Sequence, residues 1–274
     1  MCSPVLRAVH IHPVKSLAAC DPDEAVVEPW GLDGDRRWML VDDTGRAVTQ
    51  RQQPRMALVS AMPLPGGGIG LSAPGSAPLT VDVPGPGRTV AVTLHRSTIE
   101  VVEAAPAAHA WFSDRLGMEV RLVHLDAPQT RRLINPVYAR PGETVGFADG
   151  YPLLLTSSAS LDALNSLIAE GDHPDEGPLP MNRFRPNVVV DHLTPWAEDT
   201  WDRITIGDVP FRVVKPCDRC VITTTDQGTA ERGKEPLRTL ARHRRVGSDL
   251  LFGQYLIPDA TGVVRIGDPV RVLA

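Results

Sequence analysis

The 274-residue chain has few cysteines, few aromatic residues and no excess of basic charge. Four cysteines are too few for a disulfide scaffold of this length. Acidic residues outnumber basic ones, 33 to 28, so we expect neither a general nucleic-acid binder nor a polybasic membrane-surface protein. No apolar run is long enough to span a bilayer, and we expect no membrane span. Any anion-binding site must therefore be local.

The N-terminus is not typical of a signal peptide. His10, His12 and Lys15 interrupt the stretch in which such a peptide needs a continuous apolar run. We therefore expect a cytoplasmic protein.

The chain has 26 prolines and 23 glycines, which favours short strands joined by turns. Alternating patterns predict strands at 5–14, 36–43, 46–50, 56–64, 79–83 and 89–95, hairpins at 203–214 and 263–273, and a surface loop at 63–79. Helical spacing predicts helices at 107–117, at 158–168 with Ser158 as the cap, and at 235–244 with Pro236 in the first turn. Regular βα alternation is missing, so we predict an α+β fold of β-barrel-like units with peripheral helices.

The sharpest local signal is KPCDRCVITTTD, residues 215–226, with two cysteines separated by two residues. A structural zinc site is weakly supported, because no second ligand pair follows. A thioredoxin-like redox pair would open a helix, whereas VITTT is β-branched and strand-like. A thiolate could instead bind a soft metal, with Arg219 and Lys215 lowering its pKa. On composition alone, two inert core thiols are the commonest outcome.

Several blocks, in the same order, resemble the family of MOSC domains preceded by their N-terminal barrel domain. The first part contains HPVKS (12–16), GLDGDRRWMLVD (31–42) and TQRQQPRMALV (49–59). The second contains FADGYPLLLTSSASLDALN (147–165), FRPNVVV (184–190), WAEDTWDRITIGD (196–208), CDRCVITTTD (217–226), KEPLRTL (234–240) and LLFGQYL (250–256). The pattern is most similar to mitochondrial amidoxime-reducing components and their bacterial counterparts. The resemblance implies a smaller β-rich N-terminal domain at 1–125 and a barrel-like MOSC domain at 126–274.

The resemblance also implies a molybdenum cofactor, Mo-molybdopterin, with Cys220 as the protein ligand to the metal. The positions that match the family's binding motifs are Lys15, Ser16, Arg36, Asp149, Gly150, Tyr151, Arg185 and Asn187. Lysine and arginine are suited to a phosphate, and an asparagine amide to a pterin edge. Asp149 and Asp226 are candidate proton donors by motif position, and His10 and His12 are weaker ones. Gly150 and Tyr151 replace the hydroxyl pair that relatives often carry.

The implied activity is the reduction of small N-hydroxylated compounds, such as amidoximes or hydroxylamines. The chain has no CxxxxCxxC motif and too few spare thiols for an iron–sulfur cluster. We therefore expect electrons from a separate donor: a ferredoxin, a flavoprotein or a cytochrome b5-like protein. A second hypothesis stays open, in which the protein carries molybdenum cofactor, or relays sulfur on Cys217 or Cys220, without turnover.

Overall fold

The largest sheet is an eight-stranded barrel that is nearly closed. This computed structural model describes residues 4–85, 87, 89–192 and 194–273, so Cys2 lies outside the described residues. The strands within these ranges are β1 Val5–Val9, β2 Glu24–Glu28, β3 Gly31–Leu32, β4 Trp38–Val41, β5 Ser60–Pro63, β6 Ile69–Ser72, β7 Leu79–Val81, β8 Thr89–Leu94, β9 Ser97–Glu103, β10 Arg121–His124, β11 Leu153–Ser157, β12 Val188–Asp191, β13 Arg203–Ile206, β14 Val209–Asp218, β15 Arg245–Val246, β16 Asp249–Pro258, β17 Gly262–Arg265 and β18 Val270–Leu273. The four α-helices described are α1 Pro106–Leu116, α2 Pro128–Arg131, α3 Ser158–Ala169 and α4 Leu237–His243. The predicted strand-rich fold with peripheral helices is confirmed.

The barrel sheet has the order β1-β12-β11-β16-β14-β13-β18, with β15 paired to β16. Its two edges approach each other, because Leu6 N donates to Asp268 O at 2.9 Å and Val270 N to Pro4 O at 2.8 Å. Inward-facing aliphatic and aromatic side chains fill the interior, among them Leu155, Phe211 and Leu256. This burial provides the main driving force for closing the sheet.

The first part of the chain builds two smaller sheets, β4-β10-β9-β8 and β5-β6-β7. Helix α1 packs Phe112 and Leu116 into a separate core that also contains Trp38 and Met56. Pro106 starts α1, and Gly117, in the left-handed conformation, ends it. This helix matches the prediction at 107–117 closely.

The two parts of the chain share strands. Strand β1 pairs with β12 in the barrel, and β2 pairs with β17, so both strands pack with the second half of the chain. The boundary at residue 125 stays a prediction, because the N-terminal strands belong to the C-terminal core. The chain therefore passes from the barrel into the smaller sheets through residues 10–38, which carry Lys15, Ser16 and Arg36.

Several local predictions are wrong. Residues 263–273 do not form a hairpin, because β17 pairs with β2 whereas β18 pairs with β13. The segment 63–79 contains strand β6, with Ile69 and Leu71 buried, rather than only a loop. The 46–50 strand is reduced to single bridges, and 56–64 divides into the 3₁₀ helix Pro54–Leu58 and β5.

Two helix starts also differ from the prediction. Helix α3 begins at Ser158 itself, whose Oγ donates to Asp191 Oδ1 at 2.7 Å instead of capping the helix. Helix α4 begins at Leu237, so Pro236 precedes its first turn. The VITTT segment is not a strand but the 3₁₀ helix Val221–Thr224. The Thr223 and Thr224 hydroxyls donate to carbonyls three residues earlier, which favours this turn over an extended chain.

Candidate functional site

A cleft lies where the loops of the first part meet the barrel. Eight of the ten residues selected from the sequence line it: Lys15, Ser16, Arg36, Asp149, Tyr151, Arg185, Asn187 and Cys220. Gly150 lines a second, outer cleft that adjoins the first. Asp226 lines neither cleft. Residues that are far apart in sequence are thus brought to one place, although their roles remain predictions.

The lining of this inner cleft is strongly cationic in a chain whose net charge is −5. Six basic residues line it, against the two carboxylates Asp149 and Asp218: Lys15, Arg36, Arg51, Arg183, Arg185 and Arg219. Such a concentration of one sign in a recess attracts anions. If the local anion site expected from the composition exists, this cleft is the place where the described residues suit it best.

Lys15 lies at the base of this charge cluster. Only 4 % of the residue is exposed, and its Nζ donates to Phe147 O at 2.8 Å and to Asp149 Oδ1 at 2.5 Å. Burial lowers the pKa of Lys15 to about 8, although Asp149 opposes this shift. The ammonium is therefore charged at neutral pH and close to losing its proton.

Arg36 and Asn187 form a second polar group on the cleft wall. Arg36 Nη1 donates to Asp35 Oδ2 at 2.5 Å and to Asn187 Oδ1 at 3.1 Å, and its Nη2 donates to Arg185 O at 3.2 Å. The Asn187 amide also accepts from Leu154 N and donates to His10 O. These bonds let Asn187 orient Arg36 and use one of its two Nδ2–H donors, so its predicted contact with a pterin stays a prediction.

Arg185 carries the cleft's least compensated charge. Its Nη2 is buried and has no hydrogen-bond partner among the described residues, and its Nη1 only reaches Gln227 Oε1 at 3.5 Å. Burial, reinforced by Arg36, lowers the pKa of Arg185. A guanidinium seldom gives up its proton, so this shift indicates a buried cation that an anion would stabilise.

The backbone at this site is strained at three positions. Ser16, Arg36 and Arg185 have φ values of 67°, 47° and 54°, in the left-handed region that non-glycine residues rarely adopt. Such conformations persist when the surrounding structure imposes them, and they concentrate at binding sites. All three residues line the inner cleft.

The two thiols of the CDRC block have different environments. Cys217 is 2 % exposed at the end of β14, and burial raises its pKa. Cys220 is partly exposed, and Arg51 Nη2 lies 3.3 Å from its Sγ. The two basic residues expected beside the reactive thiol have other partners. Arg219 Nη1 contacts the Cys217 sulfur at 2.7 Å, and Lys215 pairs with Asp218 at 3.6 Å. The cation at the Cys220 sulfur is therefore Arg51, which the sequence analysis missed.

Arg51 belongs to a loop that is fastened to the second half of the chain. Gln50 is fully buried and exchanges side-chain hydrogen bonds with Gln227 at 3.1 and 3.2 Å. Arg232 Nη2 donates to the carbonyls of both Gln50 and Arg51. These contacts fix the Arg51 backbone beside the cleft, so its guanidinium can reach Cys220 at low entropic cost.

The outer cleft has an empty volume of about 1470 Å³ and opens from the same thiol. It shares six residues with the inner cleft: Arg51, Asp149, Tyr151, Asp218, Cys220 and Tyr255. It also includes His95, at the tip of the β8–β9 hairpin, and the segment 132–136. The partly exposed thiol is thus reached from two sides.

The two carboxyls expected to donate protons are both held ionised. Although burial opposes it, the Lys15 ammonium, a hydrogen bond with His95 and the charge of Arg51 keep the pKa of Asp149 well below its ordinary value. Burial also opposes the ionisation of Asp226, but hydrogen bonds from the N–H groups of Gly228 and Thr229 lower its pKa. Neither group is suited to releasing a proton at neutral pH.

The weaker histidine candidates lie outside the clefts. His10 Nδ1 lies 2.6 Å from Asp21 Oδ1. His12 is buried, and burial together with Arg185 and Arg36 lowers its pKa well below the ordinary value.

The protein offers no complete metal site of its own in the part of the chain that the structure describes. No group of three or more His, Cys, Asp or Glu side chains is arranged there to hold a metal ion. Cys220 offers one soft ligand beside a cationic cleft that has an unpartnered buried guanidinium group. This donor set fits a metal that is carried by an anionic organic cofactor.

Two family models match the chain: the MOSC N-terminal beta barrel domain at residues 3–119 and the MOSC domain at residues 142–271. The chain therefore belongs to the MOSC-domain family. It is 34 % identical to human mitochondrial amidoxime-reducing component 1, over 96 % of this chain and 81 % of that protein. It is 30 % identical to the zebrafish molybdenum cofactor sulfurase, over 92 % of this chain and 31 % of that protein.

Among solved structures, the YuaD protein of Bacillus subtilis covers 98 % of this chain and 94 % of its own, with 11 % identity and a TM-score of 0.44. This likeness is too weak to carry an argument. Within residues 4–85, 87, 89–192 and 194–273, none of the helices has the length and apolar character needed to cross a bilayer.

Proposed function

We propose that this protein is a molybdenum-cofactor oxidoreductase that reduces small N-hydroxylated compounds, such as amidoximes and hydroxylamines, with electrons from a partner protein. The observation that carries the proposal is the partly exposed Cys220 thiol, beside Arg51, at the edge of a cationic cleft. The similarity to an amidoxime-reducing component supports the choice of reaction. When bound, the cofactor supplies the two-electron chemistry that removes oxygen from an N–O bond.

The basic residues of the inner cleft would hold the phosphate end of the cofactor. Lys15 offers a point charge, and Arg36 and Arg185 offer planar guanidinium donors that can bind two phosphate oxygens at once. Arg185 has the strongest reason to take an anion, because its Nη2 is buried without a partner among the described residues. Asn187 and Asp35 keep Arg36 in place through the hydrogen bonds described above.

Cys220 would anchor the metal, and Arg51 would orient that thiol by its hydrogen bond. The buried Cys217, held by Arg219, would stay a thiol and support the end of β14. The outer cleft, which also reaches Cys220, would admit the N-hydroxylated substrate.

The test is metal analysis and turnover of protein made in a host that synthesises the cofactor. We expect stoichiometric molybdenum and reduction of an aromatic amidoxime with a reduced viologen as the electron source. Cys220→Ser should lose both, whereas Cys20→Ser, at a buried thiol bonded to Ile11 O, should keep both. Transferable cofactor or a protein persulfide without turnover would support the carrier or sulfur-relay function instead. Wild-type protein with neither molybdenum nor turnover would contradict the proposal.

A further inference from the structure

Reduction of an N-hydroxyl group needs protons as well as electrons. The balanced reaction is R₂N–OH + 2 e⁻ + 2 H⁺ → R₂N–H + H₂O, with both electrons from the external donor of the proposed function, on which this inference rests. One proton goes to the departing oxygen and one to nitrogen. Asp149 and Asp226 are ionised and hold no proton to deliver. Another group must therefore protonate the departing oxygen, or water must do so unaided.

His95 lies where such a group is needed. It is at the tip of the β8–β9 hairpin, in the first part of the chain, and its Nε2 reaches across to Asp149 Oδ1 at 3.3 Å. Its imidazole lines the outer cleft together with Cys220. The positive φ of His95, 54°, is that of the first residue of the two-residue turn between Leu94 and Ser97, which fixes the backbone that carries the ring.

The side-chain exposure of His95 suits a group that must take up a new proton from solvent in every catalytic cycle. The side chain is 40 % exposed, so water reaches the ring even with the cleft occupied on one side. Asp149 fixes the ring through Nε2 and leaves Nδ1 as the proton-delivering atom, as a carboxylate orients the imidazole in other acid–base pairs.

The charged groups around His95 belong to several elements. Lys15 Nζ donates to Asp149 Oδ1, the same oxygen that His95 Nε2 contacts. The charged residues that line the same clefts as His95 are Arg46, Arg51, Arg96, Arg132, Lys215, Asp149 and Asp218. Asp149 is the carboxylate in direct contact with the ring.

We propose that His95 is the general acid that protonates the departing oxygen of the N-hydroxylated substrate. The Nδ1–H bond breaks, an O–H bond forms on that oxygen, and the imidazole is left neutral. Solvent then restores the proton to Nδ1, and the nitrogen of the product takes its proton from water. Imidazole is the side chain best suited to exchange protons near neutral pH.

The test compares the wild type with His95→Gln, which can keep a hydrogen bond to Asp149 but cannot carry a proton. We expect kcat/KM to fall by about 100-fold or more, the usual contribution of a general acid. Molybdenum content and Tm should stay unchanged. As for any general acid, kcat/KM of the wild type should fall at alkaline pH, and this limb should be absent in the variant. His173→Gln, at a partly exposed histidine that contacts Arg238 and lines neither cleft, is the matched control and should behave as wild type.

A second variant separates proton delivery from a structural role. His95→Ala should be as impaired as His95→Gln, and added imidazole should restore part of its activity. The proposal is overturned if His95→Gln stays within about twofold of wild type with the same pH profile. It is equally overturned if both variants lose molybdenum together with activity and imidazole restores none. The wild type is assayed first. If it is loaded with molybdenum but shows no turnover, the proposed function is refuted, and this result is distinct from any effect of a His95 variant.

Discussion

The Nζ atom of Lys15 lies 2.5 Å from Oδ1 of Asp149, although 134 residues separate the two in the sequence. Lys15 follows β1, and Asp149 precedes β11 in the barrel. The pair joins the first part of the chain to the second at the inner cleft. The Lys15 ammonium is also the expected phosphate ligand. The positive charge that pairs with Asp149 across the two parts of the chain is therefore the one that a bound anion would contact.

The lowered pKa of Lys15 predicts how anion binding depends on pH. Burial brings this pKa to about 8, so Lys15 is charged below that pH and becomes neutral as the pH rises through it. Binding of an anion favours the charged form. Affinity should therefore be highest below about pH 7 and fall as the pH rises through about 8, by at most tenfold per pH unit for one linked proton.

The measurement is a calorimetric titration of cofactor-free protein with sulfate, whose own charge is constant over this range. Lys15→Arg keeps the positive charge over the whole pH range. The sulfate affinity of this variant should therefore not fall as the pH rises through the pKa of Lys15. Equal sulfate affinity of the wild type below and above the pKa of Lys15 would contradict the prediction.

Loss of both Lys15 and Arg36 should abolish cofactor retention. Each places a cation in the inner cleft, and both come from the segment that links the barrel to the smaller sheets. A ligand that binds only the folded protein raises Tm by mass action. We therefore expect cofactor-loaded wild type to melt higher than cofactor-free protein, and Lys15→Ala/Arg36→Ala to show no such difference.

The matched control removes two positive charges from the surface. Lys234 and Arg55 are exposed and line neither cleft, so Lys234→Ala/Arg55→Ala should keep the cofactor and the full Tm difference. Calorimetric melting with molybdenum analysis gives both results. Normal retention in the Lys15/Arg36 double variant would argue against a cofactor site at this junction.

Cys220→Ser should lose molybdenum far more severely than Cys217→Ser. Cys220 is partly exposed at the cleft, whereas Cys217 is buried and its raised pKa keeps it a thiol. A hydroxyl is a harder and poorer ligand than a thiolate for this metal. Elemental analysis and reductase activity of the two variants decide the matter. If Cys217→Ser were the inactive protein and Cys220→Ser kept full metal, the assignment would be wrong.

We expect Arg51 to influence the electronic properties of the Cys220 thiolate and to contribute little to the stability of the fold. Its guanidinium is partly exposed, and its Nη2 lies 3.3 Å from the Cys220 sulfur. A hydrogen bond to a metal-bound thiolate changes the electronic environment of the metal. Arg51→Gln should therefore shift the molybdenum EPR signal of the loaded protein while leaving Tm close to wild type.

Arg46→Gln serves as the control, because Arg46 is exposed in a neighbouring loop and does not line the inner cleft. Its EPR signal should match that of the wild type. An unchanged signal in Arg51→Gln would show that the contact with Cys220 does not persist in the loaded protein.

The sequence motifs located the cleft but only part of its chemistry. Motif position selected Lys15, Arg36 and Cys220, because each occurs within an extended block of resemblance. Arg51 lies inside the quoted TQRQQP segment, yet an arginine is ordinarily a solvated surface residue, and the sequence gives no sign that its loop is fastened by a buried Gln50. His95 lies in no block at all. Its place depends on a hairpin of the first part meeting the turn at Asp149 in the second.

The fold shows the same limit on a larger scale. Alternation predicts strands within 203–214 and 263–273, but the turn signal at 266–269 gives no information on which strand pairs with which. Strand β17 joins β2 and β18 joins β13, because the barrel closes over residues that are distant in sequence. Local patterns predict elements, whereas long-range burial decides their partners.

The source of electrons is the last prediction. With Cys220 committed to the metal, the remaining thiols in the described ranges are Cys20 and Cys217, both buried, and Cys2 lies outside those ranges. Three thiols in such positions cannot supply four ligands to an iron–sulfur cluster. The sequence also lacks the GxGxxG fingerprint of a Rossmann-type nicotinamide or flavin site. We therefore expect neither an iron–sulfur nor a Rossmann-type route from NADH or NADPH within the chain, whereas other flavin folds leave no such sequence mark.

We accordingly expect the purified protein to reduce no N-hydroxylated substrate with NADH or NADPH alone. Activity should appear with a reduced viologen, because a small one-electron donor can reach the metal through either cleft. It should also appear with a separate ferredoxin, flavoprotein or cytochrome b5-like protein and its own reductase. The measurement is amine formation under anaerobic conditions with each donor, using Cys220→Ser as the control for reduction that bypasses the metal. Steady turnover of the wild type with NADPH and no added carrier would refute the requirement for an external donor, since the described residues contain no other redox centre to accept those electrons.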